Sequence, residues 1–129
     1  MNVLDGGTGS NFLTGAADAS SVDQFFVDGR GNAMTWSTIV NFHSGDSATI
    51  FGFKPGVGTR PFTENDGANG YKGVTIHSAL AGAGTGVTES MTFAGIDGAT
   101  ATARFSITAD TLGRGTANTT DYLLIQYNR

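Results

Sequence analysis

The sequence predicts one all-β domain over residues 1–129, an antiparallel β-sandwich of jelly-roll-like form. The chain holds 20 glycines and has no window of a dozen residues with apolar side chains at helical spacing, so no amphipathic helix is predicted. Short runs rich in Val, Ile, Phe and Thr recur instead, separated by turns rich in Gly, Asn and Asp. Short strands at this spacing are typical of sandwiches and jelly rolls.

β-Branched and aromatic residues dominate the segments that we predict to be strands. Residues 101–108 alternate most clearly, with Ala, Phe and Ile on one face and Thr, Arg and Ser on the other, as in a half-buried antiparallel strand. The polar residues 63–70 are predicted to form a loop. The seven predicted strands are 24–28, 35–42, 48–53, 72–78, 87–94, 101–108 and 121–127.

A glycine-rich stretch at residues 5–14 matches one copy of the nonapeptide G-G-x-G-x-D-x-U-x, in which a chain winds around calcium. Asn11 takes the aspartate position and Leu13 the apolar position. A second copy should begin at Gly15, but the later glycines of the pattern are missing there, so a long stacked roll is not predicted. The alternative is that these residues are ordinary turn formers.

Acidic residues are concentrated in the same part of the chain. Residues 1–53 contain five aspartates and a single basic residue, Arg30, whereas residues 54–129 contain six acidic and six basic residues. Calcium takes six to eight oxygen ligands, and carboxylates, amide oxygens and carbonyls of such a loop supply them. We therefore expect a Gly-rich calcium loop at the N-terminus.

Residues 2–53 resemble the closing segment of RTX-type calcium-binding regions. In that segment a D-x-F-x-F strand, here Asp23–Asp28, is followed by a strand pair with an F-x-x-G-D turn, here Phe42–Asp46. Ser37 and Asn41 stand where that pattern often has aspartates. The resemblance implies bound Ca²⁺, and the calcium ligands it predicts are Asp5, Asn11, Asp23 and Asp28.

Composition disfavours several classes of function. The two histidines, His43 and His77, have no cysteine, paired carboxylates or G-x-S-x-G serine near them, so no enzyme is predicted. Seven dispersed basic residues and a pI near 4.8 give no footprint for nucleic acid. No apolar run reaches the length of a membrane span, and Cys-free chains are common among bacterial secreted proteins that calcium makes rigid. We expect a secreted module.

Recognition of a sugar is the remaining prediction, because aromatic rings stack on pyranoses while amides and charges bind the hydroxyl groups. Trp36 follows a Gly/Asn-rich loop, and Tyr71 ends the polar segment 63–70. The alternatives are that Trp36 anchors the sandwich core and that Tyr71 only packs within its loop. The predicted sugar contacts are Trp36, Phe62, Asn69, Tyr71 and Lys72.

Residues 2–80 as a whole resemble a module found at the ends of bacterial exported glycanases. The resemblance implies a non-catalytic carbohydrate-binding module for plant β-glucan or cellulose, appended to a glycoside hydrolase. The competing hypothesis is a calcium-stabilised RTX-like cap or adhesin-type segment that binds no sugar. We also expect a homodimer through the apolar run Tyr122–Ile125, which as an uncovered strand would be an open edge.

Overall fold

The computed structural model describes residues 1–18, 20–28, 35–52, 60–79, 87–113, 115–116 and 120–128. These residues form ten strands and one short helix. In chain order they are β1 (Asn2–Thr8), β2 (Phe12–Thr14), β3 (Asp23–Asp28), β4 (Thr35–Val40), β5 (Ser47–Phe51), β6 (Arg60–Asp66), β7 (Gly73–Ala79), β8 (Val87–Ala94), α1 (Gly98–Arg104), β9 (Phe105–Leu112) and β10 (Thr120–Tyr127). The helix is too short and too polar to span a membrane, and no other helix is found in the described ranges.

The strands form two five-stranded sheets that share one core, so the prediction of an all-β sandwich is confirmed. Sheet A has the order β1-β3-β5-β10-β9, and sheet B has the order β2-β4-β8-β7-β6. Alternate residues of the inner strands point between the sheets, as strand geometry requires. The buried apolar side chains of this core are Phe25, Val27, Ile39, Phe42, Ala48, Ile50, Val74, Ile76, Met91, Phe93, Ala101, Leu123 and Ile125.

The first five strands trace a parallel coil, which the sequence did not predict. Consecutive strands alternate between the sheets, so that β1, β3 and β5 lie side by side in sheet A while β2 and β4 are neighbours in sheet B. All of these pairings are parallel, as is the pairing of β4 with β8. The remaining four pairings, which involve β6–β10, are antiparallel. The prediction of a purely antiparallel sandwich was therefore wrong for half of the pairings.

Six of the seven predicted strands are confirmed, and the exception is residues 101–108. Residues 98–104 form α1, and β9 begins only at Phe105. Asp97 caps the helix, because its Oδ1 accepts a hydrogen bond from the backbone N–H of Thr100 at 2.7 Å. Alanine fits a strand face but also has the highest helix propensity, so the i, i+2 pattern was misleading.

Two further predictions about elements were wrong. Residues 60–66 form strand β6, although residues 63–66 were predicted to belong to a loop over 63–70. The turn is confined to residues 67–70. The predicted open edge at Tyr122–Ile125 does not exist, because β10 pairs with β5 on one side and β9 on the other. The structural reason given for a homodimer is thereby removed.

Phe42 lies at the centre of the core and joins its two halves. Its ring centroid is 4.7 Å from that of Phe93 in sheet B and 5.9 Å from that of Phe25 in sheet A. The rings of Phe105 and Tyr127 lie 5.5 and 5.9 Å away. Phe42 lies two residues after the end of β4, so this aromatic cluster fixes the connection from β4 to β5 against both sheets.

Candidate functional site

The glycine-rich segment is mostly a strand rather than a loop. Gly6 and Gly7 belong to β1, whose register with β3 shifts between Asp5 and Thr8. Gly7 and Gly9 have φ angles of 67° and 85°, a region that glycine enters without steric cost, and the chain turns there into β2. Asp5 is exposed, and its Oδ1 accepts a hydrogen bond from the N–H of Gly7 at 2.9 Å.

Asn11 closes this turn with its amide nitrogen. Its Nδ2 donates to the carbonyl oxygens of Gly7 at 3.2 Å and Gly9 at 3.1 Å, while its backbone N–H donates to Ser37 Oγ at 3.1 Å. In the calcium nonapeptide an aspartate occupies this position and closes on the ion. Here a nitrogen donor binds the carbonyl oxygens directly, so the turn is held by hydrogen bonds.

The four predicted calcium ligands do not form one site. Asp23 begins β3 and Asp28 ends it, so their Cα atoms are about 16 Å apart along an extended strand. Calcium binds its ligands at about 2.3–2.6 Å, so one ion cannot bind both carboxylates. Asp5 lies opposite Phe26 in the middle of the β1–β3 pair, with its side chain exposed. Of the four, only Asp23 belongs to a group of side chains, among the described residues, that could hold a metal ion.

That group consists of Asp23, His43 and Asp46, at the end of sheet A where β3 and β5 begin. Register places Gln24 opposite Ser47, so the residues preceding them, Asp23 and Asp46, are brought together. His43 lies in the connection between β4 and β5. One potential ligand atom from each side chain lies within 4.8 Å of the others, a spacing that a single metal ion can bridge.

Both carboxylates of this cluster are buried, with 0% and 1% of Asp23 and Asp46 exposed. Asp23 Oδ2 accepts from the N–H of Ala16 at 2.7 Å, and Oδ1 accepts from Asn2 Nδ2 at the same distance. Asp46 Oδ1 accepts from the N–H of Asp23, and Oδ2 from the N–H of His43, both at 2.9 Å. These bonds tie the β2–β3 and β4–β5 connections to the start of β3.

Small residues make this close packing feasible. A Cβ atom at Gly15 would lie 2.7 Å from Asp23 Oδ2, so any larger residue would displace the carboxylate. Asn41 turns the chain after β4 with a φ of 63°, a conformation that asparagine tolerates better than most residues. Its Nδ2 donates to the carbonyl oxygen of Gly15 at 3.2 Å, which joins the same two connections again.

Asp18 is a third carboxylate near the cluster, and it is exposed. A hydrogen bond from the backbone N–H of Ser20 lowers the pKa of Asp18, and the nearby His43 contributes in the same direction. Asp18 therefore adds an exposed negative charge that interacts with His43.

A second candidate site is the outer face of sheet B, which carries Trp36 and Tyr71. Register pairs Trp36 with Ser90, and pairs Thr38 with both Phe12 and Thr92, so these side chains share the face opposite the core. Phe12, Trp36 and Tyr71 are exposed by 53%, 38% and 44%. The rings of Phe12 and Tyr71 meet edge to face with centroids 4.8 Å apart. Trp36 is thus not part of the core.

Buried hydroxyl groups lie beneath this aromatic face. The indole Nε1–H of Trp36 donates to Thr92 Oγ1 at 2.8 Å, and Thr92 Oγ1 lies 2.7 Å from Thr75 Oγ1. A cavity of about 480 Å³ lies beside them, and its described lining consists of Trp36, Thr38, Gly67 and Ala68. The Trp36 ring is therefore fixed in orientation, with one polar atom satisfied.

The structure gives the other predicted sugar contacts no described contact with the aromatic face of sheet B. Asn69 and Lys72 are exposed on either side of Tyr71, which itself donates its backbone N–H to the carbonyl oxygen of Ala68 at 2.9 Å. Phe62 lies in β6, and its side chain is outside the described residues. The structure therefore brings Trp36 and Tyr71 to one face.

Sequence reasoning did not select three residues of these sites, namely Phe12, His43 and Asp46. A zinc or copper site made by the two histidines and one carboxylate was considered, but their spacing did not favour it. The G-D pair that contains Asp46 was recognised in the RTX-like pattern but was not interpreted as a ligand. Phe12 lies between Asn11 and Leu13, where only Leu13 was interpreted as the apolar residue, and its pairing with Thr38 could not be foreseen without the parallel coil. Comparisons with protein-family models, with curated proteins and with solved structures gave no match to this chain.

Proposed function

We propose that this domain is an RTX-like cap that closes one end of a parallel β-roll. The observation that carries the proposal is that β1 and β2, which follow each other in the chain, are the edge strands of sheets A and B. A turn of a β-roll contributes one strand to each of two sheets. A preceding turn would therefore find both of its pairing partners next to each other at this end.

The outer edge of β1 presents backbone groups that can pair with another strand. The N–H of Asn2 donates to the carbonyl oxygen of Val22, so it faces β3. Successive residues of a strand point their backbone groups in opposite directions, and the N–H of Val3 therefore faces the open edge. The side chain of Val3 is 63% exposed and that of Phe12, on β2, is 53% exposed. A docked turn would bury both apolar side chains.

At the other end of the coil the parallel stack stops. In sheet A, β5 is followed by the antiparallel strands β10 and β9, and in sheet B β8 is followed by the antiparallel strands β7 and β6. Terminal units of repeat proteins differ from the internal ones in this way, because they cover the end of the shared core. The coil can thus extend only past β1 and β2.

In this proposal, calcium is bound by the turns that dock onto the cap. The RTX-like pattern of residues 2–53 predicts Ca²⁺ in a secreted protein, while the β1–β2 turn of this chain is closed by Asn11. Nonapeptide turns stacked on the cap would supply the carboxylates that this turn lacks.

The test is to fuse two calcium nonapeptide turns in front of Asn2 and to follow folding by circular dichroism. We expect calcium to fold the fused turns at a lower concentration than it folds the same turns alone. Val3→Pro removes the outward N–H without breaking the β1–β3 pairing and should abolish the gain, whereas Val3→Thr should keep it. Fused turns that fold no better than free ones would contradict the proposal.

Carbohydrate binding is the second candidate function, and the aromatic face of sheet B favours it. Phe12, Trp36 and Tyr71 present partly exposed rings, as stacking on pyranose rings requires, and Trp36 also lines a cavity. The proposal is a non-catalytic module for β-glucan-type polysaccharides, attached to a glycoside hydrolase. Affinity electrophoresis in gels with β-glucan, xylan or mannan tests it, and equal migration in all of these gels and in plain gel would contradict it.

A further inference from the structure

We infer that Asp23, His43 and Asp46 bind a first-row divalent metal ion, with zinc as the best fit. The site lies where the β2–β3 and β4–β5 connections meet the start of β3. It is distinct from the aromatic face of sheet B, and it adjoins the first residue of edge strand β1, because Asn2 Nδ2 donates to Asp23 Oδ1. Its role is structural, because the ion would join two connections and the first residue of a core strand.

The orientation of the His43 ring is the first argument. Nε2 lies 2.8 Å from the carbonyl oxygen of Ala16, which can only accept, so Nε2 carries a proton and donates it. Nδ1 is buried and has no hydrogen-bond partner among the described atoms. In the neutral ring Nδ1 has a lone pair. Histidines that bind metals through one nitrogen commonly donate the other N–H to a backbone carbonyl, as His43 does here.

The two carboxylates supply the second argument. Asp46 Oδ2 lies 3.2 Å from His43 Nδ1, but the pair does not have hydrogen-bond geometry. Asp23 and Asp46 are almost fully buried, and burial of two negative charges is costly unless a cation neutralises them. Each of their oxygens already accepts one hydrogen bond from an N–H group, which holds the carboxylates in place and leaves a lone pair for an ion.

The donor set distinguishes between ions. Calcium takes oxygen ligands, whereas imidazole nitrogen together with carboxylate oxygen suits zinc and its neighbours in the first row. The ligand atoms lie within 4.8 Å of one another. Neighbouring ligands of tetrahedral zinc are about 3.5 Å apart, so the widest pair would need to close by about 1.3 Å at most. Side-chain rotations supply a movement of this size.

The test uses the whole domain after treatment with EDTA and transfer into metal-free buffer. Calorimetry with ZnCl₂ should show one ion per chain, and zinc at a hundredfold excess over its Kd should raise the Tm by roughly 5–10 °C. CaCl₂ at the same concentration should give a smaller shift. In ¹⁵N-resolved NMR spectra zinc should move the Nδ1 resonance of His43 and leave its Nε2–H in place.

His43→Gln is the informative variant, because its amide can still donate to the Ala16 carbonyl but has no ring nitrogen at the Nδ1 position. It should weaken zinc binding by about tenfold or more. The other histidine provides the matched control, and His77→Gln should bind zinc as the parent does. Absence of a zinc-induced shift, an equal response to calcium, or unchanged zinc binding in His43→Gln would each overturn the inference. So would an Nδ1 proton that zinc does not displace, because a His43–Asp46 ion pair then explains the cluster.

Discussion

The side-chain amide nitrogen of Asn11 lies 3.1 Å from the carbonyl oxygen of Gly9 and donates a hydrogen bond to it. A second bond runs from the same nitrogen to the carbonyl oxygen of Gly7. An amide donor thus takes the place that a bound cation has in the calcium nonapeptide. The turn is thereby closed by two hydrogen bonds without an ion.

Asn11→Asp should make this turn dependent on calcium. A carboxylate opposite the carbonyl oxygens of Gly7 and Gly9 removes two hydrogen bonds and adds repulsion, so the variant should be destabilised by about 1–3 kcal/mol in chelator. Millimolar calcium should restore part of this loss, because three oxygen atoms then converge on one ion. Thermal unfolding with and without calcium measures both effects.

Asn69→Asp is the control for that experiment, because it makes the same chemical change at an exposed position in the 67–70 turn. Its Tm should stay close to that of the parent and should not respond to calcium. If Asn11→Asp is as stable as the parent in chelator, the amide contributes little to the turn.

The sequence was sufficient to predict the β-rich class and the position of most strands. Periodicity within a strand indicates which residues are buried, and in β3 alternate residues such as Phe25 and Val27 lie in the core. Strand direction is not encoded in that periodicity, because parallel and antiparallel neighbours both bury alternate residues. The parallel coil therefore could not be distinguished from an antiparallel sandwich. Strand β1 was hidden by Gly6 and Gly7, and β2, with three residues, is too short to show a periodic pattern.

The sites were predictable to a smaller extent. Trp36 and Tyr71 were predicted from their residue type and from the turns next to them. The structure places both on the outer side of sheet B, where Trp36 lies in β4 and Tyr71 follows the 67–70 turn. The metal cluster depends on contacts between residues that are far apart in the chain. Asp23 and Asp46 are separated by 23 positions, and only the register of β3 with β5 brings them together. The residues next to His43 in the sequence do not indicate this register between β3 and β5.

Phe42→Ala should be strongly destabilising. The side chain is 4% exposed and contacts rings from both sheets, so its removal leaves a cavity that neither sheet can fill. A loss of about 3–5 kcal/mol is expected in urea-induced unfolding. Phe12→Ala, at an exposed ring, serves as the comparison and should cost less than about 1 kcal/mol.

Asp97 should make the stability of the domain depend on pH in the acid range. The hydrogen bond from the backbone N–H of Thr100 lowers the pKa of Asp97 below its ordinary value. A carboxyl group whose pKa is lower in the folded state stabilises the fold above its unfolded pKa and loses this contribution as the pH falls through the folded pKa. Asp97→Asn keeps a capping side chain that does not titrate. The stability advantage of the parent over Asp97→Asn should therefore shrink below about pH 4, as urea titrations at several pH values would show. A constant difference between pH 3 and pH 7 would contradict this role.

If the outer face of sheet B binds a polysaccharide, truncation of its rings should abolish retention on β-glucan without unfolding the domain. Trp36→Ala and Tyr71→Ala each remove a partly exposed ring, and neither ring belongs to the core, so the circular dichroism spectrum should be preserved.

Asn69→Ala removes one polar contact and should weaken retention only in part, because stacking on a rigid ring contributes more than one exposed hydrogen bond. Trp36→Ala also leaves Thr92 Oγ1 without its indole donor, so Trp36→Phe, which keeps a ring but loses the same bond, separates the two effects. Retention by Trp36→Phe with loss in Trp36→Ala would identify stacking as the cause, whereas normal binding by both alanine variants would place any sugar site on another surface.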